Sequence, residues 1–305
     1  MTIALTLTKL EDGMKSIFFI SLILVLTSSA FAYPVITLKN PFSGSAVYTA
    51  NNKDKKTAVL KLHGSEGGSE YYGNIEASTL ATQGFTVMTY CYFDCNRGIY
   101  EQRQTLKNVE LAKIFEAIEW LRSLSTSNGI VIVYGVSRGG ELALILGSLT
   151  KRMNIAIDGV IAHTPSDVYN LPYSWNWQNP ICWICSLGQG KCSNEPPFTG
   201  FVWNPLCGDD DVHLFNEPNS AWLLNGNFIL ANRRIEIENY NGLILITVGE
   251  KDEVWPVEQT RRIEQTLIKA GKKPNIHYFR NAGHGFGPID EINRKDLVLD
   301  FLKKF

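Results

Sequence analysis

The feature that most constrains this chain is Ile130-Val131-Ile132-Val133-Tyr134, an almost wholly apolar run that stops at Gly135-Val136-Ser137-Arg138-Gly139. A run of that kind is a strand covered on both faces, as in a parallel sheet. From about Arg138 to Leu149 the pattern turns helical, with Gly139, Ala143 and Gly147 forming a small-residue stripe that lets a helix approach a sheet. A strand entering a helix through G-x-S-x-G defines a sharp turn that exposes the serine hydroxyl at the carboxyl edge of the sheet. Small residues at 135, 139 and 140 are what such a turn requires.

The same alternation runs through the chain. Strands are predicted at Thr57–Leu62, Phe85–Cys91, Gly159–Ala162, Leu243–Val248 and Asn275–Phe279, and helices at 74–83, 101–123, 256–270 and 291–304. The expected fold class is therefore α/β, a doubly wound and mostly parallel sheet. Residues 170–240 break the period and are rich in Trp, Asn, Pro and Cys, which points to a cap insertion over the site.

The N-terminus reads as an address. Lys15 precedes the apolar stretch Ile17–Leu26, shorter than the ~18–20 residues that span a bilayer. Ala30-Phe31-Ala32 follows with the pattern of a signal-peptidase site. Residues 1–32 are thus expected to be a signal peptide starting at Met14, and 33–305 an exported mature chain, periplasmic or secreted, without a stable membrane span. With 29 basic against 30 acidic residues and no local basic run, nothing marks a nucleic-acid surface.

A serine at neutral pH needs a base, itself oriented by an acid. In this chain order the acid follows the nucleophile and the histidine comes last. His284, between Gly283 and Gly285 after the final strand, is the expected base for Ser137. Asp252, just past Leu243–Val248, is preferred as acid over Glu250 and Glu253, with Asp158 and Asp167 in reserve. His63, His163, His213 and His277 are read as structural, although His163 is also placed to line a pocket. The oxyanion of an acyl-transfer intermediate needs backbone donors. These are expected from Arg138 and from Ser65 or Glu66, in the glycine-rich loop His63–Gly68. Arg138 itself is expected to pair locally with Glu141. Cys182, Cys185, Cys192 and Cys207 are read as disulfide partners within the insertion, and Cys91 with Cys95 as a further pair, in preference to a zinc site. No cofactor or metal is expected.

Taken in order, Leu62–Gly68, Tyr71–Asn74, Ala81–Phe85, Gly135–Leu144, Ile246–Pro256 and Gly283–Gly285 resemble the C-terminal domain of acyl-CoA thioester hydrolases and bile acid-CoA:amino acid N-acyltransferases, within the dienelactone-hydrolase-like part of the α/β-hydrolase superfamily. The resemblance spans about 57–303. It implies an α/β-hydrolase fold, Ser137, Asp252 and His284 as a triad, and a small-molecule acyl ester or thioester as substrate. Animal members carry a β-rich domain ahead of this one, for which residues 33–56 are too few. The function expected is a serine hydrolase working through an acyl-enzyme on Ser137. The alternatives are an acyltransferase passing the acyl group to an amine or alcohol, or an inactive binding protein on the same fold.

Overall fold

The computed structural model describes residues 34–52, 54, 56–68, 72–95, 106–172, 183–185, 201–203, 219–231 and 233–305. The signal-peptide expectation for 1–32 lies outside them, as do Cys182, Cys192, Cys207 and His213. In chain order the elements are β1 (Val35–Leu38), β2 (Ala46–Ala50), β3 (Lys56–Leu62), α1 (Tyr72–Thr82), β4 (Thr86–Tyr90), β5 (Val109–Glu110), α2 (Leu111–Ser123), β6 (Ser127–Val136), α3 (Arg138–Met153) and β7 (Gly159–His163). Then follow β8 (Trp183–Cys185), β9 (Phe201–Trp203), β10 (Asn219–Leu224), β11 (Asn227–Leu230), a 3₁₀ turn at Ile237–Asn239, β12 (Leu243–Gly249), α4 (Val257–Lys269), β13 (Ile276–Phe279) and α5 (Pro288–Leu302).

The main sheet has strand order β1-β2-β4-β3-β6-β7-β12-β13. Its first strands pair antiparallel and those from β4 to β13 pair parallel. This is the expected α/β architecture. Residues 35–50, in the stretch too short for a separate domain, supply the first two strands of this sheet.

Strand β6 shows why the sheet is covered on both faces. Val131 and Val133 enter one apolar cluster with Ile114, Phe115 and Ile118 of α2 and Leu142 and Leu146 of α3. Ile132 and Tyr134 enter the other, with Ala77 and Leu80 of α1 and Val298 and Phe301 of α5. The alternation is the period of two, and the absence of a polar side chain between Ile130 and Val133 follows from burial on both sides.

Two expectations change. The helix read at 101–123 begins at Leu111, because Glu110 caps it by accepting the Ala112 N–H at 3.2 Å. Val109 before it is extended and pairs in parallel with Trp222 of β10. Leu106 and Val109 mimic a helical face by their spacing, yet both are buried from a non-helical segment. The second concerns 170–240, where the expected cap insertion falls mostly on residues 173–182, 186–200 and 204–218, outside the described residues. Its described flanks are built into the body of the domain: Trp222 is fully buried in the core, Ile237 and Tyr240 join it, and Val168 bridges to Arg234. Trp222 is thus a core residue and not part of a cap over the site.

Each face of the sheet also buries charge next to β6. On one face the Glu76 carboxylate of α1 meets Lys61 at 2.9 Å, Arg294 at 3.0 Å and the Tyr134 hydroxyl at 2.9 Å. Burial pushes the Glu76 carboxyl up, but the Lys61 ammonium and Arg294 guanidinium outweigh it and hold it well below the usual carboxylate range. On the other face Glu141 of α3 is fully buried. It accepts from Arg138 Nη1 at 2.9 Å, Trp222 Nε1 at 2.7 Å, and the Asn170 backbone and side-chain nitrogens, each at 2.9 Å. Arg138 Nη2 donates to the Leu171 carbonyl at 3.0 Å. Arg138 therefore pairs with Glu141 as expected from sequence, and the pair is ringed by donors that offset the cost of burying a carboxylate.

Both clusters make measurable demands. Because the Glu76 value is depressed on folding, its stabilisation is present above the ordinary 4.5 and is lost as pH falls through the folded value. Glu76→Gln should melt lower than wild type at neutral pH, with the gap in Tm narrowing on acidification; parallel curves would contradict this. Glu141→Ala should lose about 3–5 kcal/mol in urea unfolding, the cost of leaving a buried guanidinium without its partner. An unchanged midpoint would show that the cluster carries no such load.

Candidate active site

The turn between β6 and α3 places Ser137 at φ 55° and ψ −118°, a strained conformation for a residue with a side chain. Its backbone N–H is held by the His163 carbonyl at 2.9 Å, and its carbonyl accepts the Glu141 N–H at 3.0 Å. Glycine is obligatory on both sides for steric reasons. A Cβ on Gly135 would lie 1.8 Å from the Gly139 carbonyl oxygen, and one on Gly139 would lie 2.4 Å from the His63 carbonyl oxygen. The elbow is therefore wedged between its own helix and the end of β3.

The loops after β12 and β13 bring the other groups. Asp252 sits three residues beyond Gly249, the end of β12. Its Oδ1 accepts the N–H groups of Val254 at 2.9 Å and Trp255 at 2.8 Å, which fix the carboxylate. Both Asp252 oxygens lie 2.9 Å from His284 Nδ1. His284 Nε2 lies 2.9 Å from Ser137 Oγ. A hydrogen-bonded chain thus runs from Asp252 through the imidazole to the hydroxyl. With Nδ1–H donating to the carboxylate, Nε2 is left to accept from Ser137.

The His284 loop is held from several directions. Its backbone N–H donates to Glu253 Oε2 at 2.9 Å, and the Lys251 N–H donates to the Ala282 carbonyl at 2.9 Å. Trp255, 2% exposed, lies edge-on to the His284 ring at 6.4 Å. Phe286 packs on Phe279 at 4.6 Å and edge-on to His163 at 4.5 Å.

The remaining carboxylates are committed elsewhere. Asp167 forms a two-pronged pair with Arg262 at 2.7 and 2.8 Å, and Asp158 pairs with Arg122 at 3.1 Å. Glu250 reaches Arg261 at 3.4 Å. Of the other histidines, His277 is bonded to Asn275 within its strand region. His163 is bonded to the Thr247 hydroxyl at 2.9 Å, and burial, aided by Arg294 and His284 nearby, holds it well below the usual imidazole range. It is therefore a neutral ring beneath the His284 loop.

On the oxyanion side, Arg138 opens α3, and the loop after β3 approaches closely enough that a Cβ on Gly64 would lie 3.3 Å from Ser137 Cβ. Ser65 and Glu66 follow directly. Gly64 N–H donates to Glu66 Oε1 at 2.8 Å. Sequence reasoning overlooked Tyr92, whose ring stacks on His63 at 4.1 Å with 4° between planes. The flanking Cys91 and Cys95, joined as a disulfide, were the signal that this short loop is a fixed object. Among the described residues no group of His, Cys, Asp or Glu is arranged to hold a metal ion, and no helix is long and apolar enough to cross a membrane.

Comparison with known proteins agrees with this architecture. Residues 228–295, which include Asp252 and His284, match the Dienelactone hydrolase family. The acyl-coenzyme A thioesterase 1 of Rattus norvegicus is 27% identical over 235 residues, covering 75% of this chain and 48% of that protein. The chain spans about half the length of the curated relatives it matches. Among solved structures, a protein described as a dienelactone hydrolase from Klebsiella pneumoniae superposes with TM-score 0.56 at 12% identity, covering 89% of this chain and 99% of that one. A thermophilic esterase from Thermogutta terrifontis gives TM-score 0.52 at 17% identity, covering 90% and 95%. The chain thus has the α/β fold of the dienelactone hydrolases and esterases, a dienelactone hydrolase family match over 228–295, and homology to acyl-CoA thioesterases.

Proposed function

We propose that this protein is a serine hydrolase that cleaves acyl esters or thioesters through an acyl-enzyme on Ser137. The observation that carries the reading is the Asp252–His284–Ser137 hydrogen-bond chain, 2.9 Å at each link, on a strained turn at the sheet edge. His284 takes the Ser137 proton as Oγ attacks the acyl carbonyl, and Asp252 stabilises the imidazolium that forms. The tetrahedral oxyanion is received by the N–H of Arg138 and one from Ser65 or Glu66. His284 then protonates the leaving alcohol or thiol. Water, activated by the same imidazole, releases the acid and restores Ser137.

Homology to acyl-CoA thioesterases supports an acyl thioester as substrate, and the esterase neighbours share the fold. We also propose that the chain is exported after cleavage near Ala32. The Cys91–Cys95 disulfide supports an oxidising compartment. N-terminal sequencing of secreted material should begin at Tyr33, and material starting upstream would exclude cleavage there.

Incubation with a fluorophosphonate probe should label the wild type and leave Ser137→Ala unlabelled. The same substitution should reduce turnover of p-nitrophenyl esters and acyl-CoAs by about 10⁴-fold or more. Failure of the native protein to label, or equal labelling of both, would sink the hydrolase reading. The ratio of kcat/KM between the two substrate classes then identifies the leaving group.

A further inference from the structure

The loop that follows β4 is closed on itself by the Cys91–Cys95 disulfide, with Cα atoms 5.6 Å apart. It does not stand alone on the surface. The Cys91 N–H donates to Ser45 Oγ at 3.0 Å, and the Phe93 carbonyl accepts the Gly68 N–H at 3.2 Å, so the loop is tied both to the start of β2 and to the far end of the glycine loop. Between these ties Tyr92 faces His63. Its hydroxyl donates to the His63 carbonyl at 2.8 Å and lies 3.5 Å from the Gly64 carbonyl, while its backbone N–H approaches His63 Nε2 at 3.4 Å.

These contacts settle the state of the His63 ring. Nε2 accepts from Tyr92, so Nδ1 carries the proton and donates to the Gly64 carbonyl at 2.9 Å. Burial pushes the ring down from the usual imidazole value, which keeps it neutral and this tautomer in place. Burial and the Glu66 carboxylate likewise push the Tyr92 hydroxyl well up, so it remains a donor.

The consequence concerns two peptide planes. In the His63–Gly64 peptide the carbonyl is held by Tyr92 and the N–H by Glu66. In the Gly64–Ser65 peptide the carbonyl is held by His63 Nδ1. A trans peptide is planar with its C=O and N–H pointing opposite ways. Fixing the Gly64 carbonyl on the His63–Tyr92 side therefore aims the Ser65 N–H to the opposite side. Gly64, which permits either orientation of those planes, would otherwise leave this direction loose.

We propose that Tyr92, carried by the disulfide-closed loop, is a positioning residue that aims the Ser65 N–H as the second oxyanion donor. This rests on the hydrolase reading above and narrows its donor from Ser65 or Glu66 to Ser65. Tyr92 touches no substrate; it acts through His63 and Gly64. Its loss should weaken a transition-state interaction while leaving ground-state binding alone.

The test uses the full chain with p-nitrophenyl butyrate and a fluorophosphonate. Tyr92→Phe keeps the stacked ring and removes only the hydroxyl. It should lower kcat about tenfold, with KM within about twofold and a melting temperature lowered by only about 2–4 °C, the cost of one lost hydrogen bond. The Cys91→Ser/Cys95→Ser double variant should lower kcat similarly, and combining all three changes should cost less than the product of the separate losses, because they act on one clamp. An unchanged kcat in Tyr92→Phe, a loss confined to KM, or losses that multiply would each overturn the proposal. A wild type that labels and turns over while Tyr92→Phe equals it refutes this inference alone. A wild type that neither labels nor turns over refutes the hydrolase reading, and this inference with it.

Discussion

A serine forced to φ 55° and ψ −118° at the end of a buried strand is the constraint around which this domain is arranged. Such a backbone costs roughly 1–3 kcal/mol and persists only where its surroundings over-determine it. Here they do. The Ser137 N–H is taken by the His163 carbonyl of the neighbouring strand, its carbonyl starts the hydrogen bonding of α3, and the flanking glycines meet backbone oxygens that would exclude any side chain. The turn exposes one hydroxyl at the edge where β3, β7, β12 and β13 also end. Asp252, His284 and the Ser65–Glu66 loop are delivered by the ends of β12, β13 and β3.

That geometry explains which parts of the molecule were legible in its sequence. The strand Ile130–Tyr134, the elbow and the start of α3 are local events, specified within a dozen residues by apolar content and glycine spacing. Chain order pointed to the loops after β12 and β13, and the structure brings Asp252 and His284 from those loops into one hydrogen-bonded chain with Ser137. The helix boundary at Leu111 was not legible. Leu106 and Val109 sit at helical spacing for an unrelated reason: both are buried in the core, and Val109 pairs with Trp222 of β10, more than a hundred residues later. What decides their conformation is a partner strand that no local pattern names.

The same distinction divides the residues around the site. The pairing of Arg138 with Glu141 was readable, being one turn of a helix. The other ligands of Glu141, Asn170 and Trp222, come from segments brought together only by the fold. Trp222 looked like part of an aromatic cap when read as composition. Its indole N–H in fact solvates a buried carboxylate. Tyr92 was hidden likewise, because its significance lies in which carbonyl its hydroxyl reaches.

Ion pairs inside a protein seldom add stability over well-packed apolar residues, since desolvation consumes most of the Coulombic gain. Yet this domain buries one such cluster on each face of β6, the strand that delivers Ser137. Glu76, Lys61 and Arg294 surround Tyr134 on one side, and Glu141 with Arg138, Asn170 and Trp222 lies under α3 on the other. Apolar packing tolerates small slips along a strand, whereas a hydrogen-bonded ion with every partner in place tolerates very little. The Tyr134 hydroxyl ties β6 to the first cluster, and the second ties the opening turn of α3 to residues 170–171 and to β10, so the segments on both sides of Ser137 are anchored. On this reading the charges are kept for registry. They hold a costly backbone in the one position from which its hydroxyl meets His284.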